Sequence, residues 1–174
     1  MVEIQRYPFS RDALNDLRDN AFAAGNWPLV YVLSDEKRRR AYIGETTDTL
    51  TRMSTHLKHD EKQLLTAVHL ITSEYFNKSA TLDVESLLIK YMAADGKYTL
   101  LNGNLGLADH NYYQRGALYE EVFREVWNRL IAKGVVSRTL DHLDNSDVFK
   151  YSPYKSLSFD QRQGLLTILH ELTN

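Results

Sequence analysis

The chain has 174 residues with a formal net charge of −2; 43% of them are apolar and 25% charged, which fits one compact domain with a sizeable core and excludes a disordered chain. So small a net charge means that any binding to nucleic acid has to come from a local patch. The absence of cysteine excludes disulfides, thiolate metal sites and a cysteine nucleophile and fits a reducing cytoplasm; no apolar run approaches the ~20 residues that span a bilayer, so the expectation is a soluble, cytoplasmic protein.

In chain order, SRDALNDLRDNAFAAG (10–25) predicts a first helix, capped by Ser10 or Asp12 and stopped by Gly25. WPLVYVLS (27–34) is a β-branched and aromatic run and predicts a strand. DEKRRR (35–40) is a polar hairpin loop and AYIGE (41–45) a second strand. TTDTLTRMSTHLKH (46–59) comes next as a helix capped by Thr46, Thr47 or Asp48. LLTAVHLITS (64–73) is a third strand, and NKSATLDVESLLIKYMAADG (77–96) a helix opened near Asn77 or Ser79 and closed by Gly96. After a Gly- and Asn-rich loop, one helix is expected within 115–134 and another within 158–172. In the first of these the stripe Leu118, Val122, Phe123, Val126, Trp127 and Leu130 has helical spacing and reads as core or as an interface. The order predicts an α+β fold, a small three-stranded antiparallel sheet flanked by helices, with an N-terminal helix and a C-terminal helical extension.

The chemistry gathers around the hairpin. Tyr31 and Tyr42 lie on strands joined by a short loop, so their backbones run side by side. In the helix after Gly44, Arg52 and His56 stand at i and i+4 on one face, beside the apolar stripe Leu50, Met53 and Leu57 that should meet the sheet. A guanidinium at that edge, next to two phenols, is a cradle for a phosphate; the plainer reading is ordinary strand tyrosines and a solvated helix face. On the wheel of 79–94, Glu85 falls between Met92 and Ile89 in the apolar arc, whereas Asp83, Ser86 and Lys90 take the wet side. A carboxylate there needs a partner, either Arg52 in a structural ion pair or a divalent cation. One carboxylate without an acidic cluster suits a single hard cation that keeps most of its waters: Mg²⁺, with Mn²⁺ as substitute. The run Lys37, Arg38, Arg39, Arg40 reads equally as a guide for a phosphate backbone and as a solvated hairpin tip.

LVY ending at Tyr31, YIG at 42–44, Arg52, His56, Glu85 and Asn102 together resemble the GIY-YIG nuclease superfamily over roughly residues 28–104. Leu29 and Val30 stand where the first tripeptide has Gly and Ile, a change that keeps a strand and the tyrosine. The resemblance implies cleavage of DNA phosphodiester bonds with one divalent metal on Glu85. It implies Tyr31 as general base, with Tyr42 positioning the water or phosphate and Arg52 stabilising charge on phosphorus. His56 takes part in proton transfer or bonds the phosphate, Asn102 fixes the geometry of Glu85 or substrate, and Gly44 and the 37–40 run lie on the substrate side.

Beyond this core, YTLLNGNLG, HNYYQR and YSPYKSLSFDQRQGLLTIL resemble bacterial proteins in which such a module precedes a P-loop helicase-like ATPase. The chain has no G-x-x-x-x-G-K-[ST] loop, so the resemblance implies a fragment whose ATPase domain lies C-terminal to it. The expected division is 1–26 N-terminal helical segment, 27–112 nuclease-like domain and 113–174 extension. The alternative expectation is a non-cleaving module that holds nucleic acid or docks a partner.

Overall fold

The computed structural model describes residues 1–103, 118–147 and 149, and for 118–120 the backbone alone. Its centre is a five-stranded mixed sheet. The strands are β1 (Val2–Pro8), β2 (Leu29–Asp35), β3 (Arg40–Thr46), β4 (Ala67–Ser73) and β5 (Thr99–Leu100), in the spatial order β1-β4-β2-β3-β5. β2 pairs antiparallel with β3 and with β4, giving the expected three-stranded core, and both β2 and β4 are buried along their whole length. Two strands extend it. β1 adds antiparallel to β4, with Val2 opposite Ser73 and Pro8 opposite Ala67, and the short β5 adds parallel to β3.

The predicted N-terminal helix is the main departure. Val2–Pro8 is a strand, and the chain then makes two 3₁₀ turns (Asp12–Leu14 and Asp16–Asp19) and a one-turn helix, α1 (Ala21–Ala24). The cause is the density of Asp and Asn, whose side chains bond nearby backbone and compete with helix propagation. Asn20 takes the N–H groups of Phe22 and Ala23, and so starts a new helix where the old one would have continued.

The other caps match the sequence. Asp48 accepts from the Thr51 N–H and opens α2 (Thr49–His56); Asn77 accepts from the Ala80 N–H and opens α3 (Lys78–Asp95). Gly96 closes α3 at φ 71°, a left-handed conformation that suits glycine. A π-helical turn at Leu118–Phe123 leads into α4 (Arg124–Ala132), and α5 (Leu140–Asp144) comes after it. The helix expected within 158–172 lies outside the described residues.

The sheet separates two apolar layers. On one face Tyr31, Leu33, Val68 and Leu70 meet Met53 of α2 and Leu57 just past its end. On the other, Val30, Val32, Ile43 and Ile71 meet α3 and α4, where Phe123, Val126, Trp127 and Leu130 are buried. Each such side chain contributes about 1.5–3 kcal/mol of transfer free energy. The Trp127 Nε1–H donates to the Arg138 carbonyl at 2.8 Å, so its polar atom is satisfied in the core. The wet side expected for α3 is not found. Asp83 and Ser86 are 4% and 6% exposed, because the helix is covered well beyond its apolar arc. Among the described residues no helix is long and apolar enough to cross a membrane.

Candidate active site

β2 and β3 set Tyr31 directly opposite Gly44. The Tyr31 ring crosses this position, and a Cβ built on Gly44 would collide with its hydroxyl and its ring. Glycine is therefore required here for room. The phenol continues over the strand to α2, where its oxygen lies 2.7 Å from His56 Nε2 and accepts a hydrogen bond from Arg52 Nε–H at 3.1 Å. With the phenol's proton turned to His56 Nε2, the neutral His56 carries its own proton on Nδ1 and the Tyr31 hydroxyl donates once and accepts once.

Electrostatics agrees with this assignment. Burial, helped by Lys62, Arg52 and His59, pushes His56 down to about 3. Burial raises the Tyr31 phenol well above the ordinary tyrosine range, against the opposing hydrogen bond from Arg52. Tyr42 is raised by burial too, with Arg52 opposing. Its ring meets His56 edge-on at 5.1 Å between centroids and lies 6.3 Å from Tyr31. Arg52 is raised first by its bond to Tyr31, with Tyr42 acting in the same direction, and the residue as a whole is exposed. Tyr31, Tyr42, Arg52 and His56 are thus in mutual contact, as their spacing predicts.

Glu85 reaches the same end of β3 from α3. It is half-buried, and its carboxyl is raised to about 7 by burial first and then by Glu45, with Arg52 and Lys78 opposing. The Glu45 backbone N–H acts in the same lowering direction. Among the described residues no ion pair closes between Glu85 and Arg52, so the structural-pair alternative for Glu85 is not what the side chains adopt. The neighbouring Glu45 is committed elsewhere, to Lys78 Nζ at 2.6 Å and to the Thr81 hydroxyl. No group of three or more His, Asp or Glu converges among the described residues. A half-buried carboxylate without a counter-ion fits a single hard cation bound through Glu85 and water.

Asn102 docks on the outer edge of β3 at Ile43. Its Oδ1 accepts from the Ile43 N–H at 3.0 Å and its Nδ2 donates to the Ile43 carbonyl at 2.8 Å. The outer edge of β3 is therefore satisfied by β5 at Arg40 and Ala41 and by the Asn102 amide at Ile43.

The basic run lies at the other end of the hairpin. Arg38 caps the turn by donating its backbone N–H to Asp35 at 2.6 Å, and its guanidinium pairs with the same carboxylate. Arg39, at φ 51°, donates to the Lys97 carbonyl. Arg40 lies 3.8 Å from Glu61, and Lys37 is exposed. Sequence reasoning missed Glu45 and Lys62. Glu45 had a signal in its position directly after YIG. Lys62 had none, since the turn after α2 alone places it.

No curated protein and no solved structure matches the chain. The family model described as the GIY-YIG catalytic domain matches residues 28–98, from just before β2 to just before β5.

Proposed function

We propose that the chain is a metal-dependent DNA endonuclease module. The observation that supports it best is the Tyr31 hydroxyl held between neutral His56 and Arg52, with Glu85 on the adjoining strand edge. In this reading the in-line water gives a proton to the Tyr31 oxygen while the phenol passes its own to His56 Nε2, so no free phenolate is needed. Arg52, anchored through Nε, turns its guanidinium N–H groups to the phosphate and offsets the charge that develops on phosphorus. Tyr42 orders the water or phosphate against the His56 edge. Glu85 holds the divalent cation, Mg²⁺ or Mn²⁺, whose chemistry is to polarise the phosphate and stabilise the leaving 3′ oxygen. Asn102 keeps β3 straight at Ile43 and so positions the Glu85 carboxylate.

The resting site is set against premature proton transfer, because Tyr31 is raised and His56 lowered. A bound phosphate offsets the cationic share of the His56 depression, which comes from Lys62, Arg52 and His59; burial, the larger cause, stays. The proposed parent protein continues into a helicase-like ATPase and works in the cytoplasm, a reading supported by the likeness of residues 151–169 and the lack of cysteine.

The test is nicking of supercoiled plasmid with Mg²⁺ or Mn²⁺. Cleavage that disappears with chelator, in Glu85→Ala and in Arg52→Ala bears out the enzyme. Equal background from wild type and Glu85→Ala, with DNA binding retained, identifies a non-cleaving nucleic-acid module instead.

A further inference from the structure

The 3₁₀ turn Lys62–Leu64 after α2 lays Lys62 Nζ over the Tyr42 ring, 3.6 Å from its centroid. The side chain is half-buried, and its ammonium is disfavoured by burial first and by Arg52 second, with Glu61 opposing. Lys62 and Arg52 together also depress His56. Two cations are therefore held within each other's field at the mouth of one site. Among the described residues neither has an ion-pair partner within 4.0 Å. Glu61, the adjacent carboxylate, pairs with Arg40 at 3.8 Å.

A surface lysine ordinarily swings into water, which solvates an ammonium better than a protein can. Here the electron-rich face of Tyr42 holds it. The arrangement keeps positive charge concentrated where an anion can bridge both groups. Its geometry suits a phosphodiester: the guanidinium of Arg52 offers directional N–H groups, and the Lys62 ammonium offers a point charge from the Tyr42 side.

We propose that Lys62 is a second phosphate-holding residue of this site, its ammonium touching a non-bridging oxygen of the DNA backbone that Arg52 engages. The proposal rests on the nuclease reading and adds to it a substrate contact outside the motif. It also gives Tyr42 a further task, as the platform that aims the ammonium.

Two measurements on the full chain test it. The first is binding of a short fluorescent DNA duplex in chelator across a salt series. The second is plasmid nicking with Mn²⁺. Lys62→Met is expected to lower the slope of log affinity against log salt by about 1, the loss of a single phosphate contact. Its kcat/KM should fall about 10- to 100-fold, the scale of removing one charged donor from a reacting phosphate. Lys62→Arg should restore the slope and much of the rate. A Lys62→Met protein with the wild-type slope overturns the proposal, even if its melting temperature and rate fall, since that pattern belongs to a residue that only packs on Tyr42. Wild type that melts normally yet neither binds nor nicks DNA would overturn the nuclease reading itself. Active wild type with an indifferent Lys62 would overturn this proposal alone.

Discussion

Gly44 leaves the space that the Tyr31 phenol fills, and the two are register partners across β2 and β3. The glycine of the YIG tripeptide is thus tied to the tyrosine of the other strand by contact. Gly44→Ala is expected to push the phenol off its line to His56. Overpacking of this kind costs about 1–3 kcal/mol, so thermal unfolding should shift down, and nicking should fall further than the lost stability explains.

The two tyrosines should separate kinetically. Tyr31→Phe removes the atom shared by His56 and Arg52 and leaves the buried His56 Nε2 without its partner. An orphaned buried polar atom costs about 1–3 kcal/mol, and loss of a proton-transfer group lowers kcat about 10²- to 10⁴-fold. Tyr42→Phe keeps the ring that meets His56 and Lys62 and should lose less. Single-turnover rates of the two variants decide the order.

Glu85 sets a pH dependence of stability in metal-free protein. Its folded pKa, about 7, lies above the ordinary carboxyl value of 4.5. A proton is therefore bound more tightly in the folded state. The resulting stabilisation is complete below about 4.5 and is lost as pH rises through about 7. In chelator, Glu85→Gln should flatten that decline and melt higher than wild type above pH 7, while its metal-supported nicking is gone. A Glu85→Gln protein less stable than wild type at pH 8 would contradict the assignment.

Asn102→Ala removes both hydrogen bonds to the Ile43 backbone at once. The expected loss is about 1–3 kcal/mol, read as a lower midpoint in urea. Asn102→Asp keeps the acceptor for the Ile43 N–H but cannot donate to its carbonyl, so it should fall between alanine and wild type. Cleavage should drop in both, with DNA affinity in chelator close to normal.

The parts of the fold carried by local signals were legible. The β2–β3 hairpin, the Asp48 and Asn77 caps and Gly96 all act through neighbours in sequence. The grouping of the candidate residues was legible for the same reason: Arg52 and His56 are fixed by helical spacing, and Glu85 stood out as a charge in an apolar arc. The hidden parts depend on distant partners. β1 exists because β4 offers it an edge, and its only sequence mark is the alternation of Val2 and Ile4 with exposed residues. β5 is two residues long, too short for any periodicity. Lys62 acquires meaning only from the ring it covers, and the burial of Asp83 and Ser86 only from what packs around α3.

The sealing of β3 at Ile43 by the Asn102 amide bears on how this protein behaves in company. An unpaired strand edge invites a strand from another molecule. Truncating Asn102 bares the Ile43 N–H and carbonyl in the same stroke, so the variant that loosens the site is also the one open to self-association through β3.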